Sequence, residues 1–157
     1  MKTVTTQLDS ASEQLDRRLR RFVYGYILRM ERVPSVAEMA KAVSLSAKRV
    51  RASLERLCQS HAFMMQEDGE LWRAAPFSAI PTAFPVRIGK RSWFGNCIWD
   101  ALGIPAMAGR DAVVDAGCGC CNYQMPIEVK NGRLQSKTGV IHIAVPARDW
   151  YKDVVFT

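Results

Sequence analysis

Several things are missing from this sequence, and each absence removes a class of function. There are only two histidines, His61 and His142, and neither has a convincing serine or acid partner, so no Ser-His-Asp arrangement can be built. There is no G-x-x-x-x-G-K-[ST] and no G-x-G-x-x-G, so the glycine loops that cradle nucleotide phosphates are excluded. No uncharged apolar run approaches the roughly 18 residues that span a bilayer. The first residues, Met-Lys-Thr-Val-Thr-Thr-Gln-Leu-Asp, lack the apolar core of a signal peptide. The expectation is a cytoplasmic protein with no membrane partner. Internal repeats and low-complexity segments are also absent.

What is present is an ordinary globular composition. With 48% hydrophobic and 24% charged residues in 157, the chain can bury one core of normal size or two small ones. The net charge of +7 permits contact with nucleic acid or an acidic partner without requiring it. Most of the arginines lie in residues 14–56, and this asymmetry divides the chain in two. Five cysteines are an odd number, and three of them crowd into Cys118-Gly-Cys120-Cys121. In a reducing compartment that crowding points to metal or redox chemistry rather than a disulfide framework.

Taken in order, residues 9–31 predict a helix capped by Asp9 or Ser10, with Glu13 placed as in a capping box. Leu15, Leu19, Phe22, Val23, Tyr26, Ile27 and Met30 form its apolar stripe, and Pro34 ends it. Ser35 caps a second helix to about Val43, and Ser46 caps a third to about Cys58. Two strands, at Phe63 to Met65 and Leu71 to Arg73, flank the turn pair Asp68-Gly69. Three helices and a hairpin outline a winged-helix-like domain over residues 1–75. Lys48, Arg49, Arg51 and Arg56 could then meet DNA phosphates, or could form a solvated basic face on a module used only for packing. A proline-rich linker, Ala74 to Pro85, leads into an α+β domain over residues 76–157. Its expected elements are a strand at 86–88, a helix at 94–103 ended by Gly103 and Pro105, and strands at 112–116, 123–129 and 140–145 in an antiparallel sheet.

The chemistry concentrates in Trp93-Phe-Gly-Asn-Cys97-Ile-Trp-Asp100-Ala-Leu-Gly-Ile-Pro105. Helical spacing puts Cys97 and Asp100 on one face, walled by Trp93, Phe94, Ile98 or Trp99. A thiolate is a soft nucleophile and metal ligand. A carboxyl in an apolar wall resists ionisation and can hold and deliver a proton. The plainer alternative is a packed cysteine beside an acid that caps a turn. Cys118 and Cys121 form a C-x-x-C pair, but a full zinc site usually needs a second pair, and none exists. Cys58 is expected in the core, and the two histidines are expected to be structural.

The run Asn96 to Pro105 resembles the core motif of the alkylmercury (organomercurial) lyases. So do Pro76-Phe77-Ser78, Asp115-Ala-Gly-Cys118 and Val145-Pro-Ala-Arg-Asp-Trp150. The resemblance implies a winged-helix-like N-terminal domain followed by the domain that carries the site. It implies that Cys97 takes mercury from an organomercurial substrate and that Asp100 passes a thiol proton to the leaving carbon. Hg(II) is then left on sulfur, for external thiols or a mercury reductase to remove, and no organic cofactor is needed. The resemblance also implies a second catalytic cysteine, whose position falls just past Thr157. Either the sequence is part of a longer member, or Cys120 or Cys121 stands in. Cys118 and Cys121 resemble cysteines that members carry on this turn. The competing function is a non-catalytic winged-helix sensor or DNA-binding regulator that holds a soft metal at Cys97 and the Cys118, Cys120 and Cys121 turn.

Overall fold

The computed structural model describes residues 2–135, 139–143, 145–150 and 152, with side chains from residue 11 onward. Helices come first and antiparallel sheets follow, so the chain is α+β. Among the described residues, no helix is long and apolar enough to cross a membrane.

Helix α1 (Lys2–Met30) starts earlier than the sequence predicts. It runs unbroken through Asp9 and Ser10, so neither residue caps it. No Gly or Pro stands before Gly25, and nothing local stops the helix at the expected cap. Leu19, Val23 and Ile27 are buried as the stripe predicts, whereas Met30 is exposed. Helix α2 (Val36–Val43) begins at Ser35 with a complete capping box to Glu38, and it ends at Ser44 in the left-handed conformation. Helix α3 (Ala47–Gln59) begins at Ser46 and buries Val50, Leu54 and Leu57. Asp16 on α1 ties the two longer helices together. It accepts hydrogen bonds from Arg56 (2.6 and 2.8 Å) and from the fully buried Ser53 hydroxyl.

Strands β1 (Phe63–Met65), β2 (Leu71–Ala74) and β3 (Phe77–Ser78) make a small antiparallel sheet in that order. Strands β4 (Pro85–Ile88), β5 (Arg91–Phe94), β6 (Ala112–Gly117), β7 (Gln124–Lys130) and β8 (Arg133–Leu134) make a second. Its order is β5-β4-β6-β7-β8, with every pair antiparallel. A bridge, Phe77 to Gly95, joins the sheets. Helix α4 (Ile98–Ala108) packs on β4 and β6.

Three elements differ from the sequence expectation. Residues 91–94 are strand β5, paired residue by residue with β4, so the helix expected from 94 starts at 98. That helix does not stop at Gly103 or Pro105. It passes through both to Gly109, whose left-handed φ of 62° closes it. Proline forfeits a single intrahelical donor, and burial of Ala101, Ile104 and Pro105 outweighs that loss here. Residues 140–143 form no strand, and Ala144 lies outside the described residues. Val140 is exposed, so it has no sheet face to cover.

One buried apolar cluster runs from Leu19 to Val114 and draws on both halves of the sequence. At its seam, β5 docks on the C-terminal end of α1. The Trp93 indole donates to the Ile27 carbonyl (2.9 Å), and Arg91 donates to the Leu28 carbonyl (2.7 Å). The Leu28 carbonyl lies in the last turn, where intrahelical donors run out, and the Ile27 carbonyl also accepts from the Glu31 N–H (2.9 Å). The strand before the motif is thereby fixed on α1.

Candidate active site

The site is built on the turn between β5 and α4. Gly95 makes that turn possible. A Cβ on it would lie 2.5 Å from the Ala101 nitrogen and 2.7 Å from its Cα, both backbone atoms. Only glycine lets the chain approach the first turn of α4 so closely. The Gly95 N–H donates to the Phe84 carbonyl (3.0 Å), and the Gly95 carbonyl accepts from the Thr82 hydroxyl (2.6 Å). The linker residues 82–84 therefore clamp the turn.

Cys97 is the N-cap of α4, with extended backbone at φ −145°. Its carbonyl accepts from the Ala101 N–H (2.9 Å), and its side chain makes no capping bond. The half-buried thiol is thus not committed to capping the helix. Asp100 is the third helical residue. Cys97 and Asp100 are therefore related as N-cap and N3, three positions apart at the first turn. The sequence reading had them inside one helix; Cys97 instead caps it.

Asp100 does not sit in an apolar wall. Its Oδ2 accepts from Arg73 Nη2 (2.9 Å) and from Asn96 Nδ2 (2.9 Å). Asn96 also donates to the Pro76 carbonyl (3.2 Å). Oδ1 takes no donor from the described residues, which leaves one carboxylate oxygen for a ligand. The ion pair is largely shielded, with Asp100 13% and Arg73 20% exposed. Tyr24 lies beside it and donates to the Ala75 carbonyl (2.8 Å). Burial pushes the Tyr24 phenol above its ordinary range, Arg20 pulls against this, and the Asp100 charge adds to it. Sequence reasoning missed Arg73, Asn96 and Tyr24. A lone arginine in the otherwise apolar Leu71-Trp-Arg-Ala-Ala was the available signal, since a charge in a half-buried strand needs a partner.

The predicted walls behave differently from one another. Trp93 is buried, with its indole bonded to α1. Trp99 is 60% exposed and packs against Trp150, with ring centroids 6.3 Å apart. Trp150 in turn donates to the Val145 carbonyl (2.8 Å) and follows a 3-10 turn, Ala147–Asp149. The Val145 to Trp150 segment is thereby brought against α4, two residues from Cys97.

The other cysteines lie elsewhere. Cys58 is half-buried and faces an open cleft of about 460 Å³, together with His61, Met64, Met65 and Arg73. Burial pushes its thiol above the ordinary range. Arg73 is shared with the Asp100 pair, but neither Cys97 nor Asp100 lines the cleft. Cys118, Cys120 and Cys121 form the turn between β6 and β7. The Cys118 N–H donates to the Tyr123 carbonyl (2.8 Å), and the Asn122 N–H donates to the Cys118 carbonyl (2.8 Å). The backbone N–H groups of Cys120 and Cys121, then the Cys121 thiol, bond the Cys118 sulfur and hold it below the ordinary thiol range. All five cysteines are free thiols. Among the described residues, no group of three or more His, Cys, Asp or Glu side chains is placed to hold a metal ion. Strand register fixes where this turn lies. Phe94 pairs with Pro85, and Val114 pairs with Val86, so β6 runs past Pro85 toward the same end of the sheet as Cys97.

Three comparisons bear on what this arrangement belongs to. No curated protein matches the sequence significantly. Among solved structures the chain is similar to the mercury-bound form of MerB2, with a TM-score of 0.64 and 20% identity. The match covers 83% of this chain and 66% of that one, so this chain spans just under two thirds of that protein. At that identity the likeness establishes the fold. The model of the alkylmercury lyase family matches residues 77–157, which include Asn96, Cys97, Asp100 and the cysteine turn. This chain belongs to the alkylmercury lyase family.

Proposed function

We propose that the chain is an organomercurial lyase, which breaks a carbon–mercury bond by protonolysis and releases a hydrocarbon and Hg(II). What supports this is the sequence of the first turn of α4, with Cys97 at the N-cap, its side chain making no capping bond, and Asp100 three residues on, inside the region the family model matches. Soft thiolate suits soft mercury, and Cys97 takes R–Hg⁺ from solution. Addition of a second sulfur weakens the carbon–mercury bond. Asp100 accepts a thiol proton on Oδ1 and returns it to carbon as the bond breaks. Two thiols thus lose two protons: one ends on R–H, the other in solvent, and Hg(II) remains between two sulfurs.

The turn cysteines leave the sheet two strand positions from β5, about 10 Å away at ordinary strand spacing. That separation argues against Cys120 or Cys121 as the second sulfur on Cys97's mercury. External thiols, or a mercury reductase, then remove the ion, and no organic cofactor takes part.

Residues 1–75 are read as a winged-helix-like domain and 76–157 as the domain that carries the site. The first completes the second, because β2 of the hairpin supplies Arg73 to Asp100. Two of the four basic side chains offered to DNA are already engaged within the protein, Arg56 by Asp16 and Arg51 by Glu70 and the Asp68 carbonyl. The regulator reading therefore gains no support. The test is incubation with phenylmercury and excess monothiol, with benzene assayed by gas chromatography. Benzene should form, and should vanish in Cys97→Ser. Mercury bound one to one with no benzene would sink the lyase reading.

A further inference from the structure

The cysteine turn between β6 and β7 has no part in this chemistry, yet it is built like a binding site. Two of its thiols, Cys118 and Cys121, stand three positions apart on a single tight turn that the Asn122 N–H closes onto the Cys118 carbonyl (2.8 Å). The turn is closed by two short backbone bonds and by Asn122 in the left-handed conformation, at φ 59°. Cys121 is exposed and Cys118 half-buried, so a metal ion reaches the pair from solvent without displacing any packed side chain.

We propose that Cys118 and Cys121 form a second soft-metal site, which takes one Hg(II) as a two-coordinate bis-thiolate. The ion displaces one proton from each thiol, giving S–Hg–S and two H⁺, and no electron is transferred. The absence of a third ligand selects the metal. Zinc asks for four ligands, and among the described residues no cluster of three His, Cys, Asp or Glu exists. A soft d¹⁰ ion content with two sulfurs suits the pair. Cys120 lies between the two on the turn and is exposed, and its thiol stays outside the site. The turn sits at the same end of the sheet as Cys97, so the product ion of the proposed lyase has a receiver close at hand. The site itself does not depend on turnover at Cys97.

The experiment uses the full chain carrying Cys97→Ser, kept reduced and titrated with mercuric chloride in excess glutathione. One equivalent of mercury should stay with the protein through gel filtration. Added Cys118→Ser or Cys121→Ser should each reduce that to none, while Cys120→Ser keeps it. Alkylation mapping on the Cys97→Ser protein needs no turn variant. Mercury should protect Cys118 and Cys121 from iodoacetamide and leave Cys120 reactive. Retention that survives both turn variants, or protection of Cys120 instead of its neighbours, overturns the proposal. Loss of benzene formation in the unmutated chain would refute the lyase reading and leave this result standing.

Discussion

Arg73 and Asp100 come from different halves of the chain, and their pairing can be measured directly. The N–O distance is 2.9 Å, and about four fifths or more of each side chain is shielded. Exposed pairs contribute about 0.2–1 kcal/mol, and breaking a fully buried one costs about 3–5 kcal/mol. This pair lies between these limits. Arg73→Met should destabilise by about 2 kcal/mol, because Asn96 still donates to the same oxygen and Asp100 is not stranded. For a chain of this length that corresponds to a fall of about 4–8 °C in Tm. Asp100→Asn should cost less, since Arg73 also faces the open cleft and regains water there. Urea denaturation of both single variants and the double variant closes the cycle. The coupling energy should be about 1.5–2 kcal/mol. Additivity within about 0.5 kcal/mol would show that the contact carries no energy, and would remove Arg73 from the site. The cycle also separates positioning from mercury capture. Arg73→Met should bind phenylmercury at Cys97 as before and release benzene at least about tenfold more slowly, because a misaimed carboxylate delivers its proton poorly.

Gly95→Ala should cost about 2–3 kcal/mol and reduce benzene release, because its Cβ meets the Ala101 backbone at 2.5 Å and the first turn of α4 must move. Gly119→Ala is the control: nothing lies within 4 Å of the added carbon, and stability measured by urea should not change. At Asp16, burial works to raise the pKa, but the bonds from Arg56 and Ser53 outweigh it and the net pKa falls below its ordinary value of 3.8. A depressed folded pKa gives stability that is present above the unfolded value and lost as pH drops through the folded one. Asp16→Asn should therefore be less stable by about 1–2 kcal/mol at pH 6. The gap between variant and parent urea midpoints should narrow as pH falls below about 4; a gap that widens there would contradict the assignment.

The helices were legible in the sequence because their signals are local. Ser35 with Glu38, and Ser46 before the Val50, Leu54, Leu57 edge, specify caps and faces within a few residues. The Asp68-Gly69 turn was legible for the same reason. The start of α1 was not, since nothing in the first residues forces a helix to begin at one place rather than another. Residues 91–94 read as the approach to a helix, and only the rest of the sheet makes them a strand. Their hydrogen-bond partners are on β4 and their tryptophan is held by α1. Short β8 was missed because a strand of two residues has no periodicity to read.

The sequence alone determined the chemical inventory: a cysteine and an aspartate three positions apart, a C-x-x-C turn, and a motif that identifies the family. These are properties of residue type and separation, and they do not depend on what packs around them. The surroundings of Asp100 were decided by tertiary structure. Its partner Arg73 is 27 positions away on a hairpin of the first half, and no local rule connects them. The register of β4, β5 and β6 likewise decided that the cysteine turn shares an end of the sheet with Cys97. Long-range pairing sets which groups meet, and the environment of a charge follows from that meeting rather than from its neighbours in sequence.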